Sequence, residues 1–168
     1  MPSPLTQRQA QWREIAEDPS LHGLPYKVET NERGQLILSP HAGSHAQLQS
    51  RLFQLLRRHV PEGLLAVAYA VATPAGVKIP DVVWMSPARE REMAATGDPS
   101  SRAPELCVEM MGASSTEAEM RDKRALYRDL GAEEVWIVSD DGRVRFFGAD
   151  EWDTSQIAPS CPATVDLE

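Results

Sequence analysis

Three residues have the types and the order to do chemistry together: Asp81 at the head of "DVVWM", Glu109 inside the apolar run "LCVEMM", and Lys123 in "EAEMRDKRALYRD". A carboxylate in a buried strand is costly unless a cation, a donor or a metal meets it. Two carboxylates on adjacent strands repel each other, and a divalent ion relieves that repulsion. Lys123 stands one turn after Glu119 and one turn before Tyr127, so the three share a helix face. A lysine beside metal-holding carboxylates can orient water and offset charge on a phosphate in the transition state. The triplet therefore has the parts for metal-assisted phosphodiester hydrolysis. Each residue also has a plainer role: a strand Glu paired or exposed at a sheet edge, an Asp after proline starting a strand, and a solvated helix lysine.

The elements that must position this triplet can be read from caps, periodicity and turns. Thr6 to Gln9 reads as a capping box opening a helix that ends near Asp18-Pro19. "YKVET" and "GQLILSP", separated by "NERG", read as a hairpin. Ser44 to Gln47 is a second capping box, and the helix after it carries Leu48, Leu52, Leu55 and Leu56 on one face before stopping near Pro61-Glu62-Gly63. "LLAVAYAVATP" and "VKIPDVVWM" have strand composition, and Pro80 suggests an edge or a bulge where Asp81 begins. Residues 86–103 read as a surface excursion with one helical turn. After the strand "ELCVEMM", Thr116 caps a helix over 117–130 that Gly131 stops. "EVWIVS" and "RVRFF" flank Asp140-Asp141-Gly142, the strongest hairpin signal in the chain. The last 20 residues read as loop. The whole is a mixed α/β order, a sheet flanked by helices.

Bulk properties narrow the function classes. A chain of 168 residues is most simply one domain, with residues 1–24 a helical extension, 25–148 the core and 149–168 a tail. The net charge of −8 argues against a large basic surface that coats nucleic acid, while leaving room for a local basic cleft. Cys107 and Cys161 have no redox or metal-ligand spacing, which fits a reducing cytoplasm. No apolar stretch is long enough to span a membrane.

Taken in order, "VKIPDVVWM", "PELCVEMMGASST" and "DKRALYRDLGAEEVWIVS" resemble the Uma-type family of restriction-endonuclease-like proteins, within the PD-(D/E)XK nuclease superfamily. The resemblance runs over about residues 25 to 148 and includes "YKVETNERGQLILSP" and the helix opened by "SHAQL". It implies a restriction-endonuclease-like core, a mixed β-sheet flanked by helices, and a metal-dependent DNA endonuclease working as a homodimer. It implies Asp81 and Glu109 as ligands of Mg2+, or of Mn2+ in its place. Many superfamily members carry a lysine two residues after the acid, where this chain has Met111; Lys123 on the next helix matches the displaced position. Glu29 and His45 match two further polar positions, and Tyr127 is expected to support Lys123. The plainer readings are a helix-start histidine for His45 and a solvent-facing cross-strand partner of Lys27 or Arg33 for Glu29. The family usually follows the strand acid with Val-x-Ser-Pro, and this chain has Met110-Met111-Gly112-Ala113. Arg89, Arg91 and Arg102 are candidates for phosphate contact. The rival classes are a catalytically silent oligomeric interaction protein that keeps the fold, and a nuclease of RNA or branched DNA.

Overall fold

The computed structural model describes residues 2–40 and 43–168. Among the described residues, ten strands and four helices follow in the order α1 (Pro4–Glu17), a 3-10 turn (Pro19–Leu21), β1 (Tyr26–Thr30), β2 (Leu36–Pro40), α2 (Gly43–His59), β3 (Leu64–Val67), β4 (Val71–Thr73), β5 (Gly76–Lys78), β6 (Val82–Met85), α3 (Pro87–Ala94), β7 (Leu106–Met111), α4 (Glu117–Asp129), β8 (Glu134–Ser139), β9 (Val144–Phe147) and β10 (Glu151–Trp152).

Six strands form one mixed sheet in the order β10-β9-β8-β7-β6-β3, in which only the β7–β8 pair is parallel. That pair needs a crossover, and α4 supplies it. Side chains alternate across the sheet. Val82, Trp84, Leu106, Val108, Met110 and Trp136 pack on one face with Leu48, Leu52 and Leu56 of α2. Val83, Met85, Cys107, Val135 and Ile137 pack on the other with Met93 of α3 and Met120 and Tyr127 of α4. Each fully buried leucine of α2 contributes about 1.5–3 kcal/mol by leaving water, which explains why a helix with this stripe covers the sheet.

Several sequence-based expectations are corrected here. Ser3, not Thr6, caps α1, because Pro4 presets the first helical φ and Ser3 Oγ accepts from the Thr6 N–H. The second helix begins at Gly43, so Ser44 lies inside it; the residue before it is outside the described ones. The two long strand-like runs break into four strands. Ala68, at φ 49°, interrupts the first run, and Pro80 separates β5 from β6 in the second. Pro80 does not mark a sheet edge: β6 lies inside the sheet between β3 and β7. Residues 86–103 hold the helix α3 and bury Arg89, Met93, Ser100 and Ala103. Buried Arg89 donates to the carbonyls of Ala103 and Gly131, and Arg102 pairs with Glu92, which removes Arg89 as a phosphate contact. The tail adds β10 and then packs Ala158, Cys161 and Val165 into the core. Cys107 and Cys161 are buried free thiols.

The β1–β2 hairpin stands outside the large sheet as a two-stranded sheet of its own. It is docked on the β4–β5 hairpin: Thr30 Oγ1 accepts from the Val77 N–H, and the Lys78 ammonium donates to the Thr30 carbonyl. Gly76 has φ +101° and passes so close to the Thr30 carbonyl that any Cβ would collide with it. This docking carries Lys27 and Glu29 across to the edge of β6 and β7.

Candidate active site

Antiparallel pairing of β6 with β7 sets Val82 opposite Val108 and Val83 opposite Cys107. Continuing that register by one residue sets Asp81 opposite Glu109, both on the α4 face. The Asp81 N–H still donates to the Val108 carbonyl at 2.9 Å, so the ladder reaches this pair. Like charges in directly opposed positions destabilise a sheet. Both side chains are nearly inaccessible, Asp81 at 3% and Glu109 at 1% exposure. Their neighbours must therefore offset the repulsion.

Four elements supply those neighbours. From β1, the Lys27 ammonium lies 3.1 Å from Glu109 Oε2 and 3.3 Å from Asp81 Oδ1, so the two carboxylates can be no farther apart than those contacts laid end to end. From α4, the Tyr127 hydroxyl donates to Glu109 Oε1 at 2.6 Å, and Lys123 reaches the same oxygen at 3.4 Å. Lys123 also holds Glu29 at 3.0 and 3.2 Å, and the Ile79 N–H donates to Glu29 at 2.7 Å. From α2, His45 Nε2 stands 3.6 Å from Asp81 Oδ1. From the strand itself, the Met110 N–H donates to Asp81 Oδ2 at 2.7 Å. The Asp81 backbone is pinned as well, its carbonyl accepting from Gln49 Nε2 at 2.8 Å and from the Ala68 N–H at 3.1 Å.

The electrostatics divide the acids. Burial raises the pKa of Asp81, but His45, Lys27 and the Met110 N–H outweigh it and hold the carboxyl below its usual range. Burial likewise works against Glu29, and Lys27 and Lys123 outweigh it in the same direction. Glu109 goes the other way. Its complete burial pushes the carboxyl up against the pull of Lys27 and Lys123, and Asp81 and Glu29 add to the rise. Burial opposes the Lys27 charge, yet Glu109, Asp81 and Glu29 together hold its pKa above the ordinary lysine value. Burial and Glu109 keep Tyr127 a neutral phenol, a donor to the carboxylate.

The cluster opens on a cavity of about 540 Å3 lined by Lys27, Glu29, His45, Lys78, Asp81, Glu109 and Lys123 among others. Asp81, Glu109, Lys123, Glu29, His45 and Tyr127, separated widely in the chain, thus meet at one place. Glu29 is not solvent-facing, being 4% exposed. The sequence offers Lys27 only as a cross-strand partner for Glu29, whereas the two residues share β1, Lys27 pairing with Ser39 and Glu29 with Ile37. The chain has three lysines, Lys27, Lys78 and Lys123, and all three line this cavity, whereas none of the arginines does. Among the described residues no group of three or more His, Cys, Asp or Glu is assembled as a metal cage. Two converging carboxylates beside a water-accessible cavity nonetheless fit a hard ion such as Mg2+, which is held through one or two carboxylates and completes its shell with water and phosphate.

The family described as "Uma2: Putative restriction endonuclease" matches residues 17–165. A solved structure, a "putative nuclease belonging to DUF820" from Anabaena variabilis ATCC 29413, is similar with a TM-score of 0.55 at 13% identity, covering 72% of this chain and 71% of that one. That likeness bears on the fold, which is the expected nuclease-like mixed sheet flanked by helices. No curated protein matches the chain. Among the described residues, no helix is long and apolar enough to cross a membrane.

Proposed function

This chain belongs to the Uma2 family, and from that premise we propose that it is a Mg2+-dependent DNA endonuclease, with Mn2+ able to replace Mg2+. The observation that carries the reading is the opposition of Asp81, the residue before β6, to Glu109 on β7, in continuation of the β6–β7 register, with a lysine and a tyrosine on α4 at the second acid. Asp81 and Glu109 would hold the ion, which when bound polarises a phosphoryl oxygen and acidifies water. Lys123 stands at Glu109 Oε1, where it orients water and offsets charge that develops on the phosphate. Tyr127 fixes the Glu109 carboxylate by its short hydrogen bond. Glu29 holds Lys123 in place from the far side, and His45 steadies Asp81. Lys78 adds a third positive group to the cavity wall, suited to a phosphodiester backbone. The reading includes a homodimer, supported by Leu36, Ile37 and Leu38, each at least 40% exposed on β2.

The test is incubation of the purified chain with supercoiled plasmid and with single-stranded DNA and RNA, in Mg2+, Mn2+ or EDTA. Glu109→Gln and Lys123→Met run in parallel. Nicking that needs the ion and is lost in both variants is the expected result. One observation favours a second reading, a silent interaction protein: the Lys27 ammonium already bridges the two acids. Folded protein that cleaves nothing in either metal would select that reading.

A further inference from the structure

The bridging lysine and the proposed metal compete for one place. Lys27 Nζ touches Glu109 Oε2 and Asp81 Oδ1 at 3.1 and 3.3 Å. An ion bound to those same two oxygens would need bonds of roughly 2.0–2.6 Å. It would then lie against the ammonium, two positive charges in contact inside a buried site. The two occupancies exclude each other.

We infer that Lys27 is a tethered cation that fills the metal seat between Asp81 and Glu109 and leaves it when a divalent ion binds, so that it sets the site's metal affinity. This rests on the reading of Asp81 and Glu109 as metal ligands.

Four observations support it. The first is charge. Lys27 and Lys123 are the two lysines in contact with the three carboxylates Asp81, Glu109 and Glu29, so the lysines number one fewer than the acids, and Asp81 also faces His45. Adding a divalent ion with Lys27 in place overshoots; exchanging Lys27 for the ion leaves three carboxylates matched by Lys123 and two ionic charges. The second is division of labour. Lys27 takes Oε2 of Glu109, whereas Lys123 and Tyr127 take Oε1, so Lys27 can depart without disturbing the groups on the other oxygen. The third is room. Lys27 lines both the acid cavity and a second cavity of about 300 Å3 whose lining includes Trp12, Tyr26, Gln49 and Ala68, so its side chain borders open volume beyond the acids. The fourth is residue type. A lysine is a point charge on a flexible stem, while an arginine would lock both carboxylates in a planar fork.

The experiment is titration calorimetry of the full chain with Mg2+ and Mn2+, comparing the unaltered protein with Lys27→Met and Glu109→Gln. When a binding-competent state is populated at one part in ten or less, its apparent affinity falls by about tenfold or more. Lys27→Met is therefore expected to bind the ion at least about tenfold tighter, and Glu109→Gln not at all. Equal or weaker binding by Lys27→Met, with binding lost in Glu109→Gln, overturns the exchange while the metal reading stands. No binding by either folded protein overturns both. Should Lys27→Met fail to fold without an ion, the unaltered protein gives a second readout by amine acylation and mass spectrometry. With only three lysines to follow, Lys27 modification should rise several-fold on saturation with Mg2+. An unchanged Lys27 rate in protein that binds Mg2+ overturns the exchange.

Discussion

Two glutamates lie on adjacent parallel strands, both buried, with opposite surroundings. Glu134 on β8 is fully inaccessible and faces the α2 side of the sheet. Its Oε1 accepts from the N–H groups of Gln156 and Ile157 at 2.6 and 2.8 Å, and its Oε2 from Trp136 Nε1 and Ser155 Oγ at 2.9 and 2.7 Å. All four donors are neutral, and the arrangement leaves no oxygen for a newcomer. Glu109 on β7 meets lysines, a phenol and an opposed aspartate beside a cavity. A carboxylate ringed by fixed neutral dipoles is a fastener, here stitching the tail to the sheet. One balanced by lysine ammonium groups beside a cavity is, on the exchange inferred above, open to replacement of a partner. Burial alone does not mark a functional acid; the chemistry of its partners does.

The sharpest way to break this contrast is to neutralise each acid in turn. Glu109→Gln should reduce metal-dependent cleavage by on the order of 10^2–10^3-fold, as read in plasmid nicking. Its unfolding free energy should stay within about 1 kcal/mol of the parent, because Asp81 and Glu29 then face Lys27 and Lys123 in equal number. If urea unfolding shows a large loss instead, Glu109 is a fastener too and the contrast collapses. Glu134→Gln should do the reverse. It turns an amide toward buried donors and costs about 3 kcal/mol in urea unfolding. Folded Glu134→Gln should cleave at the parental rate.

Acidity separates the two behaviours without mutation. The folded-state pKa of Glu109 is raised above its ordinary 4.5, so it takes up a proton before an ordinary glutamate would as pH falls. Ion affinity should then drop by about tenfold per pH unit, one proton being exchanged for the ion. Protonation at Glu109 does not itself weaken the fold, since a raised pKa favours the protonated folded state. Asp81 and Glu29 are held below their ordinary values, so their stabilisation is present above those values and disappears only as pH falls further, through their lowered ones. Circular dichroism beside Mn2+ titrations should therefore find an acid window in which the protein is folded and has lost the ion. Coincident losses would refute it. The smallest effect belongs to Ser155→Ala, which removes one of the four donors to Glu134 and should cost about 1 kcal/mol with unaltered cleavage.

The acids were legible in the sequence because polar residues in apolar strands stand out and their order fits a known pattern. Lys27 was not, because its meaning depends on a hairpin that brings it to an acid 82 positions later. Glu134 reads correctly as the start of the strand "EVWIVS" but carries no sign of its role, since nothing local predicts that Ser155 and two backbone N–H groups of the tail return to it. The tail itself has weak periodicity and still contributes Ala158, Cys161 and Val165 to the core. Strand boundaries failed at Ala68, where a positive φ in a non-glycine residue gives no composition signal.

The separate β1–β2 hairpin has a consequence for how the molecule breathes. A two-stranded sheet is marginal alone, and this one is held by Thr30, the Gly76 contact and the ionic grip of Lys27 and Glu29. In native-state hydrogen exchange the amides of residues 26–40 should open as a cooperative unit at lower free energy than those of β7 and β8. Such an opening would dismantle the lysine–acid cluster while the six-stranded sheet stays intact, so occupancy of the site and integrity of the core are governed by two different unfolding reactions.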